Sequence, residues 1–176
     1  MKKLTLPALN ELSSLRCGEE VLLNGILYTA RDAAHKRLVQ LIKEDGHLPF
    51  PLENSFLYYT GPTPAPPGAV IGSCGPTTSK RMDDYTPLLL ERGIKGIIGK
   101  GPRKSEVFQS FQKNRAVYFH AYGGCGALYN KSIVNNTLIA FEDLGAEAVY
   151  KLTVRDFPVL VAFDVYGNNI FHYSDI

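Results

Sequence analysis

Hydrophobic and polar positions alternate in two different rhythms along this chain. Val21 to Thr29 reads as a strand that bends or folds back, with Asn24-Gly25 as its turn. The period then lengthens. Ala34, Leu38, Leu41 and Ile42 share one face of a helix over 31–42, with Asp32 near its start and Gly46 beyond its end. A proline-rich stretch from Pro49 to Pro76 comes next, interrupted by a short strand at 56–59 and an apolar run at 69–73. Helices are predicted over 85–92 and 105–113, the first closed by Gly93 and the second capped by Ser105-Glu106. Strands are predicted at 96–99 and 116–121, and each runs into a glycine turn. The tail reads as strands at 148–154 and 158–164, a turn at 166–169 and a last strand at 170–172. Residues 1–20 read as a leader with polar breaks.

The central βαβαβ alternation implies a parallel sheet with right-handed crossovers. The terminal strands imply a second, antiparallel layer. The expected class is therefore α/β in three layers, with residues 1–176 forming one domain. A chain of 176 residues can bury about 70% of the surface it exposes when unfolded, so its core needs no metal or disulfide. Lys plus Arg number 19 and Asp plus Glu 17, for a net charge of +2. That balance gives no footprint for nucleic acid or an acidic membrane. No apolar stretch approaches the length of a bilayer span, and the N-terminus lacks the pattern of a signal peptide. Cys17, Cys74 and Cys125 are odd in number and have no CxxC spacing, which points to a reducing, cytoplasmic setting and away from thiol redox chemistry.

Candidate chemistry gathers at the predicted strand ends. Gly75-Pro76-Thr77-Thr78-Ser79-Lys80-Arg81 falls between a strand and a helix, where ligands of open α/β sheets bind. It lacks the frame of a Walker loop. Arg31 opens the helix over 31–42 and can grip a carboxylate with two bonds. His35 reads better as a surface or packed histidine. Lys100 lies between Gly99 and Gly101, and Gly123-Gly124-Cys125-Gly126 ends the next strand as a close turn around a buried thiol. Glu142-Asp143 are adjacent carboxylates, which on a helix face different ways. Should these ends converge, three cations face one evident acid, Asp32. Such a pocket suits a small dianion, dicarboxylate or phosphate.

Four segments in order carry a family resemblance: Ala30-Arg31-Asp32-Ala33-Ala34-His35, Gly75-Pro76-Thr77-Thr78-Ser79-Lys80-Arg81-Met82-Asp83, Gly99-Lys100-Gly101 and Ala140 to Ala148. They resemble the β subunit of class I, iron–sulfur fumarate hydratases, a subunit type shared with L(+)-tartrate dehydratase. The resemblance implies a swivelling β/β/α domain and reversible addition of water to fumarate to give (S)-malate. It implies a [4Fe-4S] cluster held by three cysteines of a partner α subunit, with no metal ligand in this chain, in an α2β2-type or other hetero-oligomer. By residue, it implies that Arg31, Arg81 and Lys100 bind the substrate carboxylates and that Thr77 transfers the proton. L(+)-tartrate dehydratase and a non-catalytic dianion-binding module are the alternative readings.

Overall fold

The computed structural model describes residues 1–171. Seven strands run β1 (Lys2–Thr5), β2 (Glu20–Thr29), β3 (Phe56–Tyr58), β4 (Gly96–Gly99), β5 (Val117–His120), β6 (Ile133–Ala140) and β7 (Val149–Phe163). Five helices interleave: α1 (Leu9–Leu12), α2 (Asp32–Lys43), α3 (Thr86–Glu91), α4 (Ser105–Lys113) and α5 (Gly126–Tyr129). The class is mixed α/β, as the alternating periods imply.

Strands β1 to β5 are parallel neighbours in chain order, joined by the crossovers the pattern predicts. The antiparallel layer, however, is not a separate sheet. Strand β7 pairs with β5 on one side and with β2 on the other, so β2, β3, β4, β5 and β7 close into a ring. Strands β1 and β6 lie outside that ring, on β2 and β7. Closure arises from the length of β7, whose 15 residues can span roughly 50 Å. The two tail strands expected at 148–154 and 158–164 are therefore one. Its bend sits where Arg155 and Asp156 oppose the single residue Asn24, a bulge in which Asp156 takes φ of 49°. Asn24 Oδ1 accepts the Asp156 N–H there at 3.0 Å. Asn24-Gly25 is thus not a hairpin turn but the partner of this bulge in a continuous β2.

Side chains alternate between two cores, as the strand period requires. Leu23, Leu27, Phe56, Tyr58, Ile98, Phe119 and Val161 fill the ring. Leu57, Tyr59, Ile97, Tyr118 and Phe163 face outward and pack under Leu38 of α2, Leu89 of α3 and Phe111 of α4. Helix α4 has the predicted bounds, and α2, α3, β4 and β5 lie within a residue or two of expectation. The apolar run at 69–73 forms no strand, and Val70 is exposed. Segment 1–20 is structured rather than a leader, since β1 pairs with β2 and α1 buries Leu12. Strand β6 is an addition to the predicted set. Ile170 and Phe171 are irregular, and His172 lies outside the described residues.

Candidate functional site

The carboxyl ends of the parallel strands form one rim. Arg31 comes after β2 and is the N-terminal flanking residue of α2. Lys100 comes directly after β4. Between them, Pro76-Thr77-Thr78 crosses the ends of β3 and β4. Pro76 bridges Thr60, the Thr77 N–H donates to Tyr59 O at 2.6 Å, and Thr78 bridges Lys100. The Thr77 segment therefore belongs to an extended loop laid over the strand ends, not to a strand–helix junction. The loop leads into a four-residue 3-10 turn, Ser79–Met82, too short to supply a helix dipole.

Asp32, the first residue of α2, draws two of the cations together. Its Oδ1 accepts from Arg81 Nε at 2.9 Å, and Arg81 Nη2 lies 2.8 Å from Oδ2. Arg31 Nε lies 3.4 Å from the same Oδ2. Burial pushes the Asp32 carboxyl up. Its own backbone hydrogen bond, the Arg81 charge and bonds from both guanidiniums outweigh that effect, and the net shift is downward. Arg31 also meets Glu147 Oε1 at 3.2 Å, while Glu147 Oε2 accepts the Ala33 N–H at 2.9 Å and so serves the free amide end of α2. Glu147 is thus a second acid at the rim, where the sequence pattern offers only Asp32. Its signal was present in the Ala140–Ala148 segment but has no meaning until 3-10 turn Glu142–Glu147 packs against α2.

Lys100 turns the other way, toward the loop after β5. A Cβ on Gly123 would lie 3.4 Å from its Cδ and Nζ. Among the described residues Lys100 has no ion pair, and the Thr77 hydroxyl makes no hydrogen bond. The Lys100 main chain is held by Ser79, whose N–H donates to Lys100 O at 3.0 Å and whose Oγ accepts the Lys100 N–H at 3.1 Å. Tyr118 Oη stands 3.0 Å from the same Oγ and 2.9 Å from Gly101 O. Only glycine fits at 99, because a Cβ there would fall 1.9 Å from Ser79 Oγ. None of the Thr77, Thr78 and Ser79 hydroxyls caps the Ser79–Met82 turn.

A buried polar hub underlies this rim. Arg103 and Asp83 form an ion pair with both side chains essentially inaccessible. Asp83 Oδ2 accepts the Lys104 N–H at 2.9 Å, and Arg103 Nη2 donates to Thr86 Oγ1 at 2.6 Å. The guanidinium lies over the rings of Tyr59 and Tyr118 at 5.5 and 5.3 Å. Asp83 thus ties the stretch after Arg81 to the stretch after Lys100. Arg103 does not stand out in the sequence, and Asp83 enters it only as the end of the 75–83 motif, because a buried pair between separate segments has no local pattern. His35 is fully buried, its Nδ1 2.9 Å from Arg31 O, and burial followed by the Arg103 charge brings its pKa down to about 4. The packed reading of this histidine holds.

The sequence matches the family model described as the fumarase C-terminus over residues 2–174. The chain belongs to this family. It is 39% identical over 163 residues to fumarate hydratase 2 of Leishmania major, covering 92% of this chain and 29% of that protein. It is 39% identical over 167 residues to a putative L(+)-tartrate dehydratase subunit beta of Methanocaldococcus jannaschii, covering 92% of this chain and 86% of that one. It is 36% identical over 165 residues to the anaerobic class I fumarate hydratase of Escherichia coli, covering 93% and 30%. The chain therefore spans under a third of those fumarate hydratases and most of the tartrate dehydratase subunit.

The cysteines of this fumarase C-terminal chain do not fit an iron–sulfur cluster. Cys74 is buried, with its thiol pushed up to about 12 by burial. Cys17 is tied to the other end of the sequence, its Sγ donating to Ala162 O and its N–H to Asp164 Oδ2. Cys125 precedes α5. No group of three or more His, Cys, Asp or Glu side chains able to hold a metal ion occurs among the described residues. No helix among them is long and apolar enough to cross a membrane.

Proposed function

We propose that this chain is the β subunit of a two-chain iron–sulfur hydro-lyase that interconverts fumarate and (S)-malate. The observation that carries the reading is the convergence at one rim of two arginines joined through Asp32, the Thr77 segment and Lys100. In this reading Arg31, Arg81 and Lys100 bind substrate carboxylates, since a dianion leaving water needs cations with directed donors. Thr77 Oγ1, deprotonated, takes the proton from the malate carbon next to a carboxylate while the C–O bond on the neighbouring carbon breaks and hydroxide leaves, and in reverse it gives that proton to fumarate as hydroxide adds. A threonine hydroxyl is a weak base, and nearby guanidinium and ammonium charge favours its deprotonated form. The same cations stabilise the negative charge that builds on the adjacent carboxylate as the proton leaves.

The [4Fe-4S] cluster belongs, in this reading, to cysteines of an α partner, and the active site forms between the two parts. An α2β2-type or related hetero-oligomer in the cytoplasm completes the proposal. The closed ring with its outer helices then acts as one swivelling β/β/α domain over residues 1–176. A second reading, L(+)-tartrate dehydratase, is favoured by the 86% coverage of the archaeal subunit. The two substrates differ by one hydroxyl, and a site that bonds a hydroxyl can discriminate strongly.

The test is reconstitution. The chain is combined anaerobically with its α-type partner and cluster, and fumarate hydration and L(+)-tartrate dehydration are followed side by side. Fumarate turnover with tartrate inert supports the first reading, and the reverse supports the second. Dianion binding by the chain with neither turnover would leave a binding module.

A further inference from the structure

We infer that Asp32 is a positioning residue that sets the spacing and orientation of Arg31 and Arg81 for carboxylate binding. This inference rests on the proposed reading of the rim as a dicarboxylate site. A guanidinium has two edges that can each make a paired contact, one formed by Nε with an Nη and one by the two Nη groups. Asp32 takes the Nε/Nη2 edge of Arg81, at 2.9 and 2.8 Å, and leaves the other edge without a partner among the described residues. Arg31 is held at Nε, between Asp32 Oδ2 at 3.4 Å and Glu147 Oε1 at 3.2 Å. Its Nη1 passes over Gly61, where a Cβ would lie 2.9 Å away. Arg81 is thus gripped on one edge, with its other edge unpartnered among the described residues, and Arg31 is held at Nε with its Nη1 packed on Gly61.

Arg81 makes this arrangement necessary. It stands on a short 3-10 turn, its side chain is 51% exposed, and it lies 49 residues along the chain from Asp32. A long, half-exposed side chain of this kind samples many rotamers unless something holds it, and each lost rotamer weakens binding. Asp32 is itself pre-set, because it opens a twelve-residue helix whose first turn is tied down by Glu147. The carboxylate therefore transmits the position of α2 to a side chain that the Thr77 loop carries. Solvent-accessible pairs of this kind add little to stability. Orientation of ligand-binding arginines and stability of the fold can then be separated by experiment.

The experiment compares Asp32→Ala and Asp32→Glu in the reconstituted two-chain enzyme, and in the full chain labelled with 15N for arginine Nε–H signals. Asp32→Ala is expected to raise KM for the dicarboxylate tenfold or more, with kcat within threefold and the melting temperature within about 3 °C. Asp32→Glu restores the two acceptor oxygens and should recover most of the KM. In the NMR arm, Arg31→Lys and Arg81→Lys assign the signals. The Arg81 Nε–H is expected to be protected from exchange in the wild type and unprotected in Asp32→Ala. An unchanged KM, a loss confined to kcat, or an Arg81 signal indifferent to Asp32→Ala overturns the inference. Absence of any turnover in the wild-type enzyme refutes the proposed function instead, and the NMR arm then decides the positioning role alone.

Discussion

Acid should destabilise this chain through His35, and the burial of that ring sets the pH window. The ring is inaccessible, with Nδ1 at Arg31 O and an edge contact to Tyr59 at 4.9 Å. Among the described residues Nε2 has no hydrogen-bond partner. Burial and the Arg103 charge oppose protonation, while the Arg31 carbonyl and Asp32 favour it, and the balance lowers the pKa from 6.5 to about 4. The unfolded chain therefore binds this proton more readily than the folded one. Stability from His35 is complete above about pH 6.5 and declines as pH falls toward 4, below which both states are protonated. A fall from 6.5 to about 4, at about 1.4 kcal/mol per pH unit, amounts to roughly 3 kcal/mol. For a domain of this size that is about 6–12 °C in melting temperature. The assay is thermal and urea unfolding between pH 7.5 and 4 for the wild type and His35→Gln. The variant should be less stable at pH 7 but should have a flatter profile between 6.5 and 4. His120→Gln is the control, because that half-buried ring is also shifted down by burial. A wild-type profile that His35→Gln leaves unaltered in slope would refute the argument.

Thr77→Val, in the reconstituted enzyme, should lower turnover by ~10²–10⁴-fold at nearly unchanged melting temperature. Thr78→Val should alter neither, since Thr78 is exposed and its hydroxyl caps nothing. Near-normal turnover in Thr77→Val would move proton transfer to the partner chain. Arg31→Ala and Lys100→Ala should each reduce kcat/KM by the equivalent of about 2–5 kcal/mol while circular dichroism stays native. Wild-type kcat/KM in both would put the pocket elsewhere. Arg103→Met should cost about 3–5 kcal/mol in urea unfolding, because it strands the Asp83 charge in the core. Adding Asp83→Asn should return part of that loss, and additive costs in the double variant would show that the pair is not coupled.

Local pattern alone determined much of this molecule. The bounds of α4, the parallel run of β3, β4 and β5, and the strand ends that carry Arg31 and Lys100 are legible, because periodicity and glycine or proline punctuation act over a few residues. The resemblance to fumarate hydratase β subunits is legible for the same reason, since its motifs are contiguous. Long-range pairing decided the rest. Asn24-Gly25 suits a hairpin turn as well as a bulge, and only the approach of Asp156 from β7 selects the bulge. Strand β7 looks like two strands until β6, β2 and β5 each claim a stretch of it and the ring closes. Strand β6 escapes notice because Asn135-Asn136, a residue type depleted in strands, interrupts it and its pairing among the described residues is with β7. Glu147 reaches Arg31 across 116 residues and Arg103 meets Asp83 across 20, at separations where a carboxylate carries no mark of its partner. Charge pairing depends on distance in space, and that distance exists only once the ring has closed.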